Sequence, residues 1–173
     1  MLEGWHEFYM LIGTAAGTLV ALLFVAASIG TGLLSKENAG STRTFLSPIV
    51  FHYTAVLFVS LIVLVPGHTH RSLGLSIGFV AAIGLAYAAV ILVRVIRHDM
   101  ADMADNLGYG ACPVAAYAAT LVAAVWLLFS DSPTGPNMLA GALLLLLVIN
   151  IRNAWDTMLS FVRRATEQHR PKM

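Results

Sequence analysis

Long apolar runs broken by short polar connections occupy nearly all of this chain. Five can be drawn, over residues 8–34, 44–66, 73–96, 110–130 and 138–161. Each reaches or exceeds the ~20 residues that carry a helix across a hydrocarbon core of about 30 Å. In lipid, unpaired backbone N–H and C=O groups find no water, so a run of this length satisfies itself as a helix. The pattern therefore predicts an all-α polytopic membrane protein, a single domain built as a five-transmembrane-helix bundle. The connections have the residues that end helices: a polar stretch over 35–41, Pro66-Gly67 after the second run, and Pro133, Gly135 and Pro136 between the fourth and fifth. The first and last runs are long enough to tilt.

Orientation follows from the basic side chains. Alternating the connections between two sides puts nine of the ten Lys and Arg on one side and only Arg71 on the other. The positive-inside rule then sets the N-terminus outside and the C-terminus in the cytoplasm, as in a multi-pass protein of a bacterial inner (plasma) membrane. Residues 1–7 carry no Lys or Arg, and the first run exceeds a signal-peptide core, so it is expected to remain as a span.

Composition sharpens the reading. Hydrophobic residues make up 58% and charged residues 11%, with a formal net charge of +1, which gives no basis for a nucleic-acid partner. The single cysteine, Cys112, excludes an internal disulfide framework. There is no HExxH pair, GxSxG elbow or phosphate-binding loop, and the chain is expected not to be an enzyme. No family resemblance is specific enough to name.

Helices in lipid associate by close backbone approach and polar contacts. Gly13 and Gly17 on the first span, and Gly74 and Gly78 on the third, form small-residue ridges that serve either the bundle itself or contacts between subunits.

Ionisable and amide side chains at membrane depth usually face a bundle interior or water. The richest group falls in the cytoplasmic third. His52 lies about two turns into the second span, Arg94 near the inner end of the third, and Asn150, Arg152, Asn153, Asp156 and Thr157 along the fifth. Arg152 and Asp156 are four apart and can pair on one helical face. Either the arginines snorkel to lipid phosphates while the asparagines link helices, or these residues line a hydrated vestibule. In a vestibule His52 exchanges a proton near neutral pH, and the arginines favour anions over cations. Such a pore or ion pathway would suit protons or anions rather than potassium. A second group, His6, Glu7, His68 and His70, supplies nitrogen and carboxylate ligands suited to zinc or copper at the outer face, provided the fold brings them together. Asp99, Asp102 and Asp105 in the third connection read as a solvated linker, and the basic C-terminal tail as a contact for anionic lipid heads.

Three functional readings follow, in this order. The first is a homo-oligomeric channel or transport protein with a polar vestibule, the second a non-catalytic accessory subunit of a larger membrane complex, and the third an outer-face metal-binding membrane protein.

Overall fold

The computed structural model describes residues 3–31, 39–97, 106–130 and 132–168, with side chains over 4–28, 47–96, 108–130 and 132–160. Within them the fold is all helical. A short 3₁₀ turn, Glu3–Trp5, leads into α1, His6–Thr31. Then follow α2, Ala39–Leu64, and α3, His70–Arg97. A π turn, Asn106–Ala111, runs straight into α4, Cys112–Phe129, and α5 covers Thr134–Gln168. All five helices are long and apolar enough to cross a membrane. Their outer surfaces present Leu11, Phe24, Phe79, Phe129 and Trp155 to the surroundings. An apolar girdle of that extent suits lipid rather than water.

Helix starts and stops have local causes. Gly67, at a φ of 82°, takes the left-handed conformation that reverses the chain after α2. Thr69 and Ser72 then cap α3 reciprocally: the Ser72 N–H donates to Thr69 Oγ1 at 3.2 Å and the Thr69 N–H to Ser72 Oγ at 3.0 Å. Pro113 has no N–H to return to the Tyr109 carbonyl, and the turn before it widens into the π turn. With the second apolar run drawn from residue 44, Pro48 would fall in the first turn of its helix. Because α2 begins at Ala39, Pro48 lies well inside the helix and deprives the Thr44 carbonyl of its helical donor.

Antiparallel pairing dominates the bundle. Gly74 faces Leu128, Gly78 faces Ala124, Gly84 faces Tyr117 and Gly110 faces Leu92, so α3 and α4 run past each other in one unbroken register. Gly13 against Ser60, and Gly17 against Leu57, set α1 antiparallel to α2. Gly135 against Leu127, and Gly108 against Asn153, do the same for α4 and α5. Further packing joins α2 to α3 and α2 to α5, which closes a four-helix ring of α2, α3, α4 and α5. Helix α1 lies outside it against α2.

These pairings consume the small-residue ridges. A methyl group at Gly74 would come within 2.8 Å of Leu128 and 2.9 Å of the Ala124 carbonyl, and one at Gly13 within 3.0 Å of Ser60 Cβ. Gly78 and Gly17 are in looser contact, at 3.6 Å and 3.9 Å. All four serve contacts within one chain.

Candidate functional site

His52 is 2% exposed and lies on the face of α2 turned away from the exposed Thr54 and Phe58, so its ring enters the four-helix ring. Its Nδ1 lies 2.9 Å from the hydroxyl of Tyr117 on α4. Helices α2 and α4 stand diagonally across the ring, so this hydrogen bond is a strut through the middle of the bundle. Gly84 makes it possible. The Tyr117 ring lies directly on Gly84 of α3, where any Cβ would collide with it. Tyr87, one turn along α3, meets His52 edge to face at 6.0 Å between ring centroids. Phe51 tilts against Tyr87 at 4.2 Å. On the far side of Phe51, an outward groove of about 510 Å³ between α1 and α2 is lined almost wholly by carbon, including Leu23, Phe24 and Val50.

Tautomerism gives the strut two forms. With the proton on Nδ1, the imidazole donates to the Tyr117 oxygen and Nε2 is left to accept. With the proton on Nε2, the Tyr117 hydroxyl donates to Nδ1 and Nε2 becomes a donor. One bond therefore lets the ring present either polarity to the interior.

A second polar knot ties the π turn to α5. Asn153 Nδ2 donates to the Gly108 carbonyl at 3.0 Å, and Gly108 is a glycine where a Cβ would sit 2.9 Å from Asn153 Oδ1. The Tyr109 hydroxyl lies 2.8 Å from both the Asn153 carbonyl and Thr157 Oγ1, and Thr157 Oγ1 lies 2.8 Å from that same carbonyl. Three oxygens thus make three contacts with only two protons among them. At any moment one contact lacks a full hydrogen bond, and the two hydroxyls can exchange which of them serves the carbonyl.

Asn150 lies between these two features. It is fully buried, and its Nδ2 donates to the Leu146 carbonyl one turn back at 2.6 Å. Among the described residues its Oδ1 has no partner, and neither do the buried hydroxyls of Tyr53 and Tyr9.

The helix registers order the interior polar groups by depth. From the π-turn end come Thr157, Asn153, Asn150, the His52–Tyr117 pair, Thr120, Ser60 and Tyr9. Successive levels are about 5–8 Å apart at 1.5 Å per residue. No member is more than 4% exposed. Thr120 and Ser60 each donate to a carbonyl four residues back, at 2.8 Å, and keep oxygen lone pairs free to accept. The series starts in the ring and ends in the seam between α1 and α2.

The seven pathway residues read from the sequence divide accordingly. His52, Asn150, Asn153 and Thr157 are buried in the bundle. Arg94 is exposed, and Arg152 and Asp156 pair at 3.6 Å on the outer side with 46% and 41% of their side chains accessible. The two groups also differ in depth. Tyr117 is nine residues into the candidate span Gly108–Phe129, close to its midpoint, which sets His52 near the bundle's centre. Arg94 is seven residues beyond Tyr87, about 10 Å nearer the end. The expected common recess at one level is therefore not formed. Its residues belong to a buried core and an exposed rim.

The four residues offered as metal ligands do not form a cluster either. His6, Glu7, His68 and His70 are all exposed, and no three of the described His, Cys, Asp and Glu side chains converge as a metal site. His68 Nδ1 is engaged instead by Ser72 Oγ at 2.9 Å, part of the cap on α3. Asp99, Asp102, Asp105, Asp131 and the basic tail beyond α5 lie outside the described residues.

Sequence reasoning missed Tyr117, Gly84, Tyr109 and Tyr53. Tyrosines of membrane helices concentrate at the interfaces, so Tyr53, Tyr87 and Tyr117 in the middle of apolar runs were the available signal. A scan against protein-family models, a search of curated proteins and a search of solved structures each found no match to this chain.

Proposed function

We propose that this chain is a multi-pass transport protein that moves protons along its own interior, with His52 as the central exchange point. One observation carries the reading: buried polar side chains recur at every level from Thr157 to Tyr9, and the only titratable imidazole among them sits midway, bonded to Tyr117. Ionisable groups at such depth are kept for pathways and relays far more than for packing. The arrangement favours protons over anions, because Arg94 and Arg152 stay on the rim and Arg152 is neutralised by Asp156. In this reading the π-turn end faces the cytoplasm of a bacterial inner membrane, as the charge asymmetry indicates. The pathway lies within one chain and needs no symmetric pore.

The test is proton influx into liposomes containing the purified protein and an entrapped pH-sensitive dye, driven by an imposed membrane potential. The wild type is expected to acidify the lumen faster than empty liposomes, and His52→Leu to abolish the difference. A wild-type rate equal to that of empty liposomes, or an undiminished rate in folded His52→Leu, overturns the proposal.

A second reading, membership of a larger membrane assembly, draws on Gly141. This glycine sits on the outward face of α5 with nothing within 4 Å of the place a Cβ would take. It forms a notch that close backbone approach by another helix could use. Purification in mild detergent with unrelated subunits attached, lost in Gly141→Leu, is the result that favours it.

A further inference from the structure

The unpartnered Oδ1 of Asn150 is the weakest point of the buried series, and its surroundings say what satisfies it. A buried acceptor without a donor is strongly disfavoured, and such groups in native proteins are met by internal water when the site is polar. Leu143, Leu146 and Asn150 share the face of α5 opposite the lipid-exposed Leu144, Val148 and Trp155, so Asn150 points into the four-helix ring. His52 points into the same ring from α2.

Their depths are one to two helical turns apart, and both side chains lean across that gap. The α4–α5 register sets Tyr117 level with about Leu145, and Asn150 is five residues, about 7 Å, further on. The Asn150 amide turns back to the Leu146 carbonyl, so the side chain leans towards the level of Tyr117 and narrows that separation. Histidine in a helix leans towards its own N-terminus. On antiparallel α2 that is the direction of Asn150. Nδ1 of His52 is committed to Tyr117, and Nε2 has no hydrogen bond among the described residues. Tyr53, next to His52 in the chain and fully buried on the adjoining face of α2, brings another hydroxyl without a partner among the described residues.

We infer that Asn150 Oδ1 and Nε2 of His52 share an internal water-binding site at the centre of the bundle, flanked by the Tyr53 hydroxyl. The water donates to Oδ1 and to the Nε2 lone pair, or accepts from Nε2–H in the other tautomer. A proton arriving as hydronium protonates Nε2 and leaves neutral water behind, and the reverse step releases it. This role in transfer rests on the proton-transport reading, whereas the binding site itself does not.

Vibrational spectroscopy of reconstituted protein in ordinary and ¹⁸O-labelled water tests it. The wild type is expected to show an isotope-shifted O–H stretch from a confined water. Asn150→Leu is expected to lose the band at unchanged helix content, and Tyr53→Phe to shift it. Absence of the band from folded wild type, or its persistence unshifted in Asn150→Leu, overturns the site. Should Asn150→Leu fail to fold, the shape-conserving Tyr53→Phe decides, because an unshifted band there counts against it. A band without proton flux leaves the site standing and removes the transport reading; flux without the band does the reverse.

Discussion

Gly84→Ala tests the central strut most directly, because it adds one methyl group where the Tyr117 ring now lies. The helix backbone cannot retreat without disturbing the α3–α4 register, which is held on either side by Gly74 against Leu128 and Gly110 against Leu92. The ring must therefore swing away and release His52. Overpacking of this kind costs about 1–3 kcal/mol. Loss of an interhelical hydrogen bond in a membrane protein adds about 0.6 kcal/mol on average and up to about 1.7. Against both stands the helical preference of alanine over glycine, up to about 1 kcal/mol. The balance is a net destabilisation of about 0.5–4 kcal/mol. Gly141→Ala is the matched control, since it makes the same chemical change where no atom lies within 4 Å. It is expected to be neutral or mildly stabilising. Reversible unfolding in mixed micelles, followed by circular dichroism, measures both. The decisive arm repeats Gly84→Ala in a Tyr117→Ala background, where the clash has no partner and the penalty should vanish. Equal stability of the two glycine variants, or a penalty that survives removal of Tyr117, would refute the reasoning.

Other substitutions probe the rest of the bundle. Asn153→Ala removes the donor to the Gly108 carbonyl and should destabilise by about 1–3 kcal/mol, with faster amide hydrogen exchange confined to the π turn and its neighbours. Gly74→Ala should lower the unfolding midpoint well below that of Gly17→Ala, because its nearest neighbours include a backbone carbonyl whereas Leu57 side-chain atoms stand 3.9 Å from Gly17. Arg152→Ala and Asp156→Ala should each change stability by less than about 1 kcal/mol; a double-mutant cycle giving a larger coupling would place that pair in the interior rather than on the rim.

Legibility varied with the kind of signal. The helix count was readable because solvent exclusion acts on every residue of a run, and errors average out. Boundaries slipped where a helix continued past its apolar stretch: α2 starts at Ala39 and α5 continues to Gln168, beyond the residues that lipid alone would demand. The inward turn of His52, Asn150, Asn153 and Thr157 was legible from their cost in lipid. The exposure of Arg94 and Arg152 was not, since a long cationic side chain satisfies the same spacing by reaching outward. Tyr117 and Gly84 escaped notice because their pairing depends on the α3–α4 register, which no local pattern encodes. The metal ligands show a related limit. His6 and His68 stand on separate elements, and the sequence holds no information on whether those elements bring them within reach.

The strut between α2 and α4 also bears on how the protein is made. Its two ends are separated by 65 positions in the chain, and ribosomes add about 5–20 residues per second. For roughly 3–13 s of synthesis, His52 is therefore in place while its tyrosine has yet to be made. A nascent chain with only three helices delivered holds an imidazole in an unfinished shell, and must keep it beside water, the insertion machinery or a lipid headgroup.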